Sequence, residues 1–293
     1  MSRYAMIQLY TFFFAFRYLS KKNVVFYINT LLPVGPALAG RIMGKPVVYH
    51  YHENAFAKGR FYKALCRCMQ TLASEIICVS DYQRLFLKRR DGVVVTPNAV
   101  SEVFVNRLIP APKEAFERKR VLMLGSLKLY KSPLEFIALA QYLPQFAFEL
   151  VVNDTQENIN HFLKEHKINI SKNLTIYPQQ NDVVPFYNQT SLVLNLSNKK
   201  QFVETFGLTA LEAMSAGLPV IVPTEGGIAE MVVDGENGYK IDVQNLNQIA
   251  ECIKTILSDE TLYMELAQNA LAYSKRFSEA KMVNSIEMIL NRK

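Results

Sequence analysis

Residues 201–242 read QFVETFGLTALEAMSAGLPVIVPTEGGIAEMVVDGENGYKID, and the reading of this stretch decides the fold. Gly207 opens a helical apolar run over 207–216 that ends at Gly217. Pro219–Val222 follows as a short buried strand. Glu204 and Glu212 stand eight positions apart. On one continuous helix that spacing is roughly 12 Å, too far for two carboxylates to share one small ligand group. With Glu204 in the loop before the helix, Thr205, Phe206 and Gly207 instead present backbone N–H groups, and Glu212 lies about one turn further in. Such N–H groups at the positive end of a helix favour a phosphate, and Gly207 has no Cβ to hold it off. One carboxylate on each side can then hydrogen-bond the hydroxyls at the two ends of a nucleotide-sugar.

Outward from this stretch, strands and helices alternate along the chain. Strands are expected at Val24–Ile28, Pro46–His50, Ile76–Val79 and Val93–Thr96, then at Val121–Leu124, Phe148–Val152, Leu174–Tyr177, Leu192–Leu196 and Gly238–Ile241. Helices are expected over about 4–19, 34–43, 59–73, 81–90, 132–142, 156–166, 182–187, 228–233, 245–258, 259–276 and 278–291. Ser80 is suited to cap the fourth of these. Residues 106–119, polar and holding Pro110 and Pro112, read as the linker between two α/β domains. The alternation predicts parallel sheets with right-handed crossovers, and ligands beyond the carboxyl ends of the strands, in the cleft that two such domains face.

The run Glu204, Phe206-Gly207-Leu208, Leu211-Glu212-Ala213-Met214, Ala216-Gly217, Pro219-Val220, Gly226-Gly227, Glu230 and Asn237-Gly238 resembles the donor site of retaining GT-B glycosyltransferases of the family 4 group. The resemblance covers roughly residues 45–293. It implies two Rossmann-like domains: a first domain over 1–108, shorter than usual for the family, and a nucleotide-sugar domain over 109–275. A terminal helix over 276–293 is expected to pack back on the first. Gly125-Ser126-Leu127-Lys128-Leu129-Tyr130-Lys131-Ser132 resembles the family's Gly-Arg-Leu-x-x-x-Lys-Gly stretch, whose Arg and Lys neutralise the donor diphosphate. Lys131 matches, whereas Ser126 stands at the Arg position and Ser132 at the last Gly. Lys128 is the available substitute cation. His52, in a Val-Val-x-x-x-His-Glu pattern, is similar to the His that hydrogen-bonds the donor sugar.

The resemblance therefore implies roles for His52 and Glu204 at the reacting sugar. Ser126, Lys128, Lys131, Thr205, Phe206, Gly207, Leu208 and Glu212 are implied to bind the donor, with Glu212 on the ribose hydroxyls. Transfer with retention to a glycan or lipid-linked acceptor is the expected reaction. No Asp-x-Asp motif appears, so a metal-independent reaction is expected, and the nucleotide-sugar is a substrate rather than a cofactor. Ser126 and the short first domain leave one alternative: an impaired relative that binds a nucleotide-sugar or a partner subunit. A GT-B sugar epimerase is a further enzyme alternative. A metal site at His50, His52 and Glu53 lacks a third ligand cluster.

Charge is distributed unevenly. Residues 1–110 carry 15 Lys/Arg against 5 Asp/Glu, and residues 111–293 carry 18 against 21. A basic first part suits an anionic partner, with peripheral membrane contact as the expectation. No helix-turn-helix, zinc or RNA-binding signature accompanies it, so nucleic acid is not an expected partner. The four cysteines lack paired metal-ligand spacing and are expected to be reduced, in a cytoplasmic protein working at the inner membrane face. The apolar run YAMIQLYTFFFAFRYLS is interrupted by Arg17 and ends before the length a span needs. A buried helix is the first expectation for it and a membrane-surface helix the second.

Overall fold

Four short runs of β-branched and aromatic residues pair side by side in the computed structural model, which describes residues 2–56 and 58–292. They are β1 (Phe26–Ile28), β2 (Val47–Tyr51), β3 (Glu75–Cys78) and β4 (Val93–Val95), all parallel and in chain order. All five residues of β2 are buried, as a parallel strand covered on both faces requires. Val47, Tyr49 and Tyr51 point to one face and pack with Ile28, Leu31, Met69 and Leu87. Val48 points to the other and packs with Ile77 and with Ile289 of the helix Glu279–Asn291. The buried tyrosines keep partners for their hydroxyls: Tyr49 donates to the Pro33 carbonyl at 3.1 Å, and Tyr51 accepts from Ala55 N at 3.1 Å.

This unit runs up to Asn98 and takes back the segment from Ala280 onward. The second unit, Ala99–Glu279, holds a six-stranded sheet. Its strands are β5 (Arg120–Gly125), β6 (Ala147–Val152), β7 (Leu174–Tyr177), β8 (Leu192–Leu194), β9 (Val220–Val222) and β10 (Gly238–Lys240). They are parallel throughout, in the order β10-β9-β8-β5-β6-β7. From β5 the chain steps outward to β6 and β7. It then returns to the other side of β5 as β8 and steps outward again. Strand order therefore reverses between β5 and β8, and such a switch point leaves a crevice at the carboxyl ends of those two strands. The α/β class and the two parallel sheets are as expected from the sequence.

Several local expectations are corrected. Residues 106–119 are not an open linker: Pro112–Arg118 is a helix with Pro112 in its first turn, and Leu108 and Ala115 are buried. The helix expected over 81–90 is the short Asp81–Leu85, capped as anticipated by Ser80, whose Oγ accepts from Gln83 N. It stops because Gln70 Oε1 takes the N–H groups of Lys88 and Arg89, while the Arg89 guanidinium donates to the carbonyls of Ala73, Ser74 and Asp91. The helix expected over 228–233 is one 3₁₀ turn, Ala229–Met231. The apolar run near the start forms the helix Ser2–Ala15 and a 3₁₀ turn Phe16–Tyr18, but it is not buried as first expected. Met6, Leu9, Tyr10 and Phe13 are exposed, because the helix packs on Val34–Ile42 along one side only.

Candidate active site

The switch point of the second unit is where the polar side chains gather. After β5 the chain turns through the 3₁₀ helix Leu129–Lys131 and enters the helix Pro133–Tyr142. The link is Ser132, which sits in the left-handed region (φ 57°), is fully buried, and leaves its Oγ without a hydrogen-bond partner. The site is shaped for glycine, which explains why the resembling stretch has Gly there. Ser126 lies half-buried at the β5 end, and its Oγ accepts from Lys128 N at 3.4 Å. The Lys128 side chain is exposed, on the side of Asp154, whose carboxyl it helps to hold below the usual range after the larger effects of Asn158 and Thr155.

Lys131 is different. Its ammonium bonds the Glu204 carboxylate, lies 3.4 Å from Ser197 Oγ and stands 4.3 Å from the centre of the Phe202 ring. Ser197 Oγ donates to the same Glu204 oxygen at 3.2 Å, and Asn195 Nδ2 approaches it at 3.5 Å. Asn195 and Ser197 are the polar residues immediately after β8. Tyr130 stacks on Phe202 at 4.9 Å, so the two loops close on each other. This places a cation, a carboxylate and two neutral donors together at the carboxyl ends of β5 and β8.

The helix Leu208–Ser215 starts beside them. Gly207 precedes it at φ +94°, and a Cβ there would lie 2.5 Å from Ile228 Cγ1. Packing and backbone conformation thus already demand glycine, beyond any approach of a ligand. Thr205 is half-buried, Leu208 is exposed, and Phe206 is buried edge-on against Phe277 at 5.9 Å. Phe206 therefore anchors the loop. One turn in, Glu212 Oε2 accepts a 2.5 Å bond from the buried Tyr187 hydroxyl. Burial raises the Glu212 carboxyl above its ordinary value, and the Tyr187 bond works against that rise. Ionisation is thus completed at higher pH than for a free carboxylate, and the carboxylate accepts more strongly from a diol as pH rises through that range.

The first unit carries its own cluster at the carboxyl ends of β1 and β2. His52 Nε2 donates to Asn29 Oδ1 at 2.7 Å, and its ring lies 4.1 Å from that of His50. Glu53 braces the loop: its carboxylate accepts from Thr30 Oγ1 and from Leu31 N at 3.0 Å. His50 is buried, with Nδ1 bonded to the Tyr27 hydroxyl at 2.6 Å and Nε2 without a partner. An imidazolium there would leave an N–H unsatisfied. Burial first, and the neighbouring His52 second, push His50 down to about 4. Burial lowers His52 as well, against the pull of Glu53.

The sign of the resulting pH dependence follows. With the folded pKa below the unfolded value of about 6.5, the unfolded chain binds the extra proton, so folded-state stability falls as pH drops from 6.5 toward 4. The expected loss is roughly 2–3 kcal/mol. Urea melts at pH 7 and pH 4.5 should show a smaller acid loss in His50→Gln than in wild type. Parallel losses would remove His50 as the cause.

Sequence reading missed Asn195, Ser197, Phe202 and Tyr187 in the second unit, and Tyr27 and Asn29 in the first. For Asn195 and Ser197 a signal was present: polar residues directly after a buried strand lie where ligands bind. Tyr187 gave none, since its link to Glu212 spans 25 positions. Among the described residues no group of three or more His, Cys, Asp and Glu side chains is placed to hold a metal ion. The four cysteines carry free thiols.

Against known proteins, residues 106–273 match the family model for glycosyl transferases group 1. An uncharacterised glycosyltransferase of Haemophilus influenzae is 22% identical over 255 residues, which cover 84% of this chain and 69% of that protein. The poly(glycerol-phosphate) alpha-glucosyltransferase of Bacillus subtilis is 22% identical over 250 residues, covering 83% of this chain and 36% of the enzyme. The chain thus spans about a third of that second relative. Among solved structures, Anabaena HepE in complex with UDP and glucose superposes with a TM-score of 0.80 at 22% identity. The superposition covers 94% of this chain and 80% of HepE, and it shows a GT-B fold.

Proposed function

The chain belongs to the glycosyl transferases group 1 family, and on that footing we propose that it transfers a sugar from a nucleotide diphosphate donor to a glycan or lipid-linked acceptor, with retention and without a metal, as the family 4 type does. The observation that carries the proposal is the Lys131–Glu204 cluster at the β5/β8 switch point, beside the start of the helix Leu208–Ser215. The UDP bound by Anabaena HepE supports uracil as the base.

Lys131 and the first N–H groups of the helix neutralise the diphosphate as its bond to the sugar C1 breaks. Glu204 holds sugar hydroxyls, Glu212 the ribose diol, and His52 a hydroxyl of the transferred sugar. The acceptor oxygen bonds C1 on the face the diphosphate leaves, and its proton passes to a departing phosphate oxygen. The protein contributes position and charge rather than a covalent nucleophile.

Thermal shift with UDP, GDP and ADP tests the donor site, since a ligand of the folded state raises its stability. UDP should raise the melting temperature. Glu212→Gln should weaken UDP about 10- to 100-fold through lost charge-assisted bonds. Equal shifts for the variant and the wild type would remove Glu212 from the ribose site. The anomeric configuration of the product from UDP-glucose, read by NMR, tests retention.

A further inference from the structure

The helix Ser2–Ala15 turns six large apolar side chains outward: Met6, Ile7, Leu9, Tyr10, Phe13 and Phe14, of which Tyr10 and Phe13 are each 68% exposed. Leu38 and Ile42 of the helix Val34–Ile42 continue the patch. A groove of about 540 Å³ runs beside it, lined by Tyr4, Gln8, Phe12, Val34, Leu38 and Leu65. A contiguous apolar face of this size marks an interaction surface.

The charge around the face selects the occupant. Residues 1–52 contain Arg3, Arg17, Lys21, Lys22, Arg41 and Lys45 and no Asp or Glu. The whole first unit carries 17 Lys/Arg against 5 Asp/Glu, a net of +12, whereas the second carries 16 against 21, a net of −5. A second copy of the chain would bring the same cations face to face. The Arg17 guanidinium lies over the rings of Phe14 and Tyr18, at 4.6 and 5.1 Å. Aromatic side chains interleaved with such cations are the composition of a helix at the headgroup level of a bilayer.

We infer that the outer face of the Ser2–Ala15 helix, with its basic flank, docks on an anionic lipid bilayer. Among the described residues no helix is long and apolar enough to cross a membrane. The aromatic side chains enter the headgroup boundary while Arg17, Lys21 and Lys22 meet lipid phosphates.

Co-sedimentation of the full chain with vesicles tests this. Vesicles of phosphatidylcholine with phosphatidylglycerol should bind it at least about tenfold more tightly than phosphatidylcholine alone, and added salt should weaken the binding. Each of Arg17→Gln, Lys21→Gln and Lys22→Gln should weaken it about fivefold. The exposed pair Tyr10→Glu with Phe13→Glu should abolish it while leaving the UDP thermal shift intact. That control separates lipid docking from the donor site. Three results would overturn the inference: no preference for anionic vesicles, binding unaffected by the Tyr10 and Phe13 changes, or a dimer in light scattering that those changes dissolve. The last would assign the face to a second copy.

Discussion

Lys131→Met is expected to lower sugar transfer from the nucleotide-sugar donor about 100- to 1,000-fold, the usual effect of removing one preorganised charge from a transition state. The charge matters more here because Ser126 stands where the family's stretch has a bidentate Arg. In the structure Lys131 is fixed from several sides: the Glu204 carboxylate, Ser197 Oγ at 3.4 Å and the Phe202 face at 4.3 Å. A cation so held needs little reorganisation when negative charge grows on the leaving phosphate. Lys131→Arg should recover part of the rate but not all, since the planar fork cannot occupy the same point. Removing the cation also leaves the half-buried Glu204 carboxylate short of a partner, at about 1–3 kcal/mol. Thermal melts of the variant should therefore show a modest drop while the chain stays folded. Steady-state rates for Lys131→Met within threefold of wild type would sink the assignment.

How much of this was legible in the sequence depended on the range of the interactions. The β5 to β10 runs were legible because buried parallel strands concentrate Val, Ile and Leu between turn residues, and their positions held to within two residues at each end. The Gly207 helix and both carboxylates were legible because glycine and charge leave a local mark. What was not legible came from contacts far apart in sequence. The helix over 81–90 was cut short by Gln70 and Arg89, whose hydrogen bonds compete with the helical ladder. The helix Pro112–Arg118 looked like linker because its prolines and charges dominate, while a single buried Ala115 faces inward. The exposure of the Ser2–Ala15 helix could not be read from its composition, since an apolar helix is ordinarily buried. In the site, Tyr187 became visible only in the fold, because its bond to Glu212 spans 25 positions.

Gly226→Ala is expected to cost the second unit about 4 kcal/mol, the sum of a positive-φ penalty and backbone overpacking. Gly226 has φ +108°, and a Cβ there would lie 2.5 Å from the Glu204 carbonyl oxygen and 2.9 Å from Val203 Cγ1. The first obstacle is backbone, which cannot rotate away. The next residue, Gly227, donates its N–H to that same carbonyl at 2.8 Å, so the turn after β9 is clamped on Glu204. Gly235 supplies the control: its φ is +76° but nothing lies within 4 Å of its added Cβ, so Gly235→Ala should cost only the backbone part, about 1–2 kcal/mol. Against a total stability of about 5–15 kcal/mol, the Gly226 change should lower the melting temperature by roughly 10 °C. It should also disturb catalysis at temperatures where the variant is still folded, because the displaced carbonyl belongs to the residue that pairs with Lys131. A shift of about 1 Å at a reacting centre suffices for a hundredfold loss. Circular dichroism and transfer rates measured together at low temperature separate the two effects. Equal melting temperatures for Gly226→Ala and Gly235→Ala would mean that the turn yields without strain. The clamp on Glu204 would then not be what positions the carboxylate.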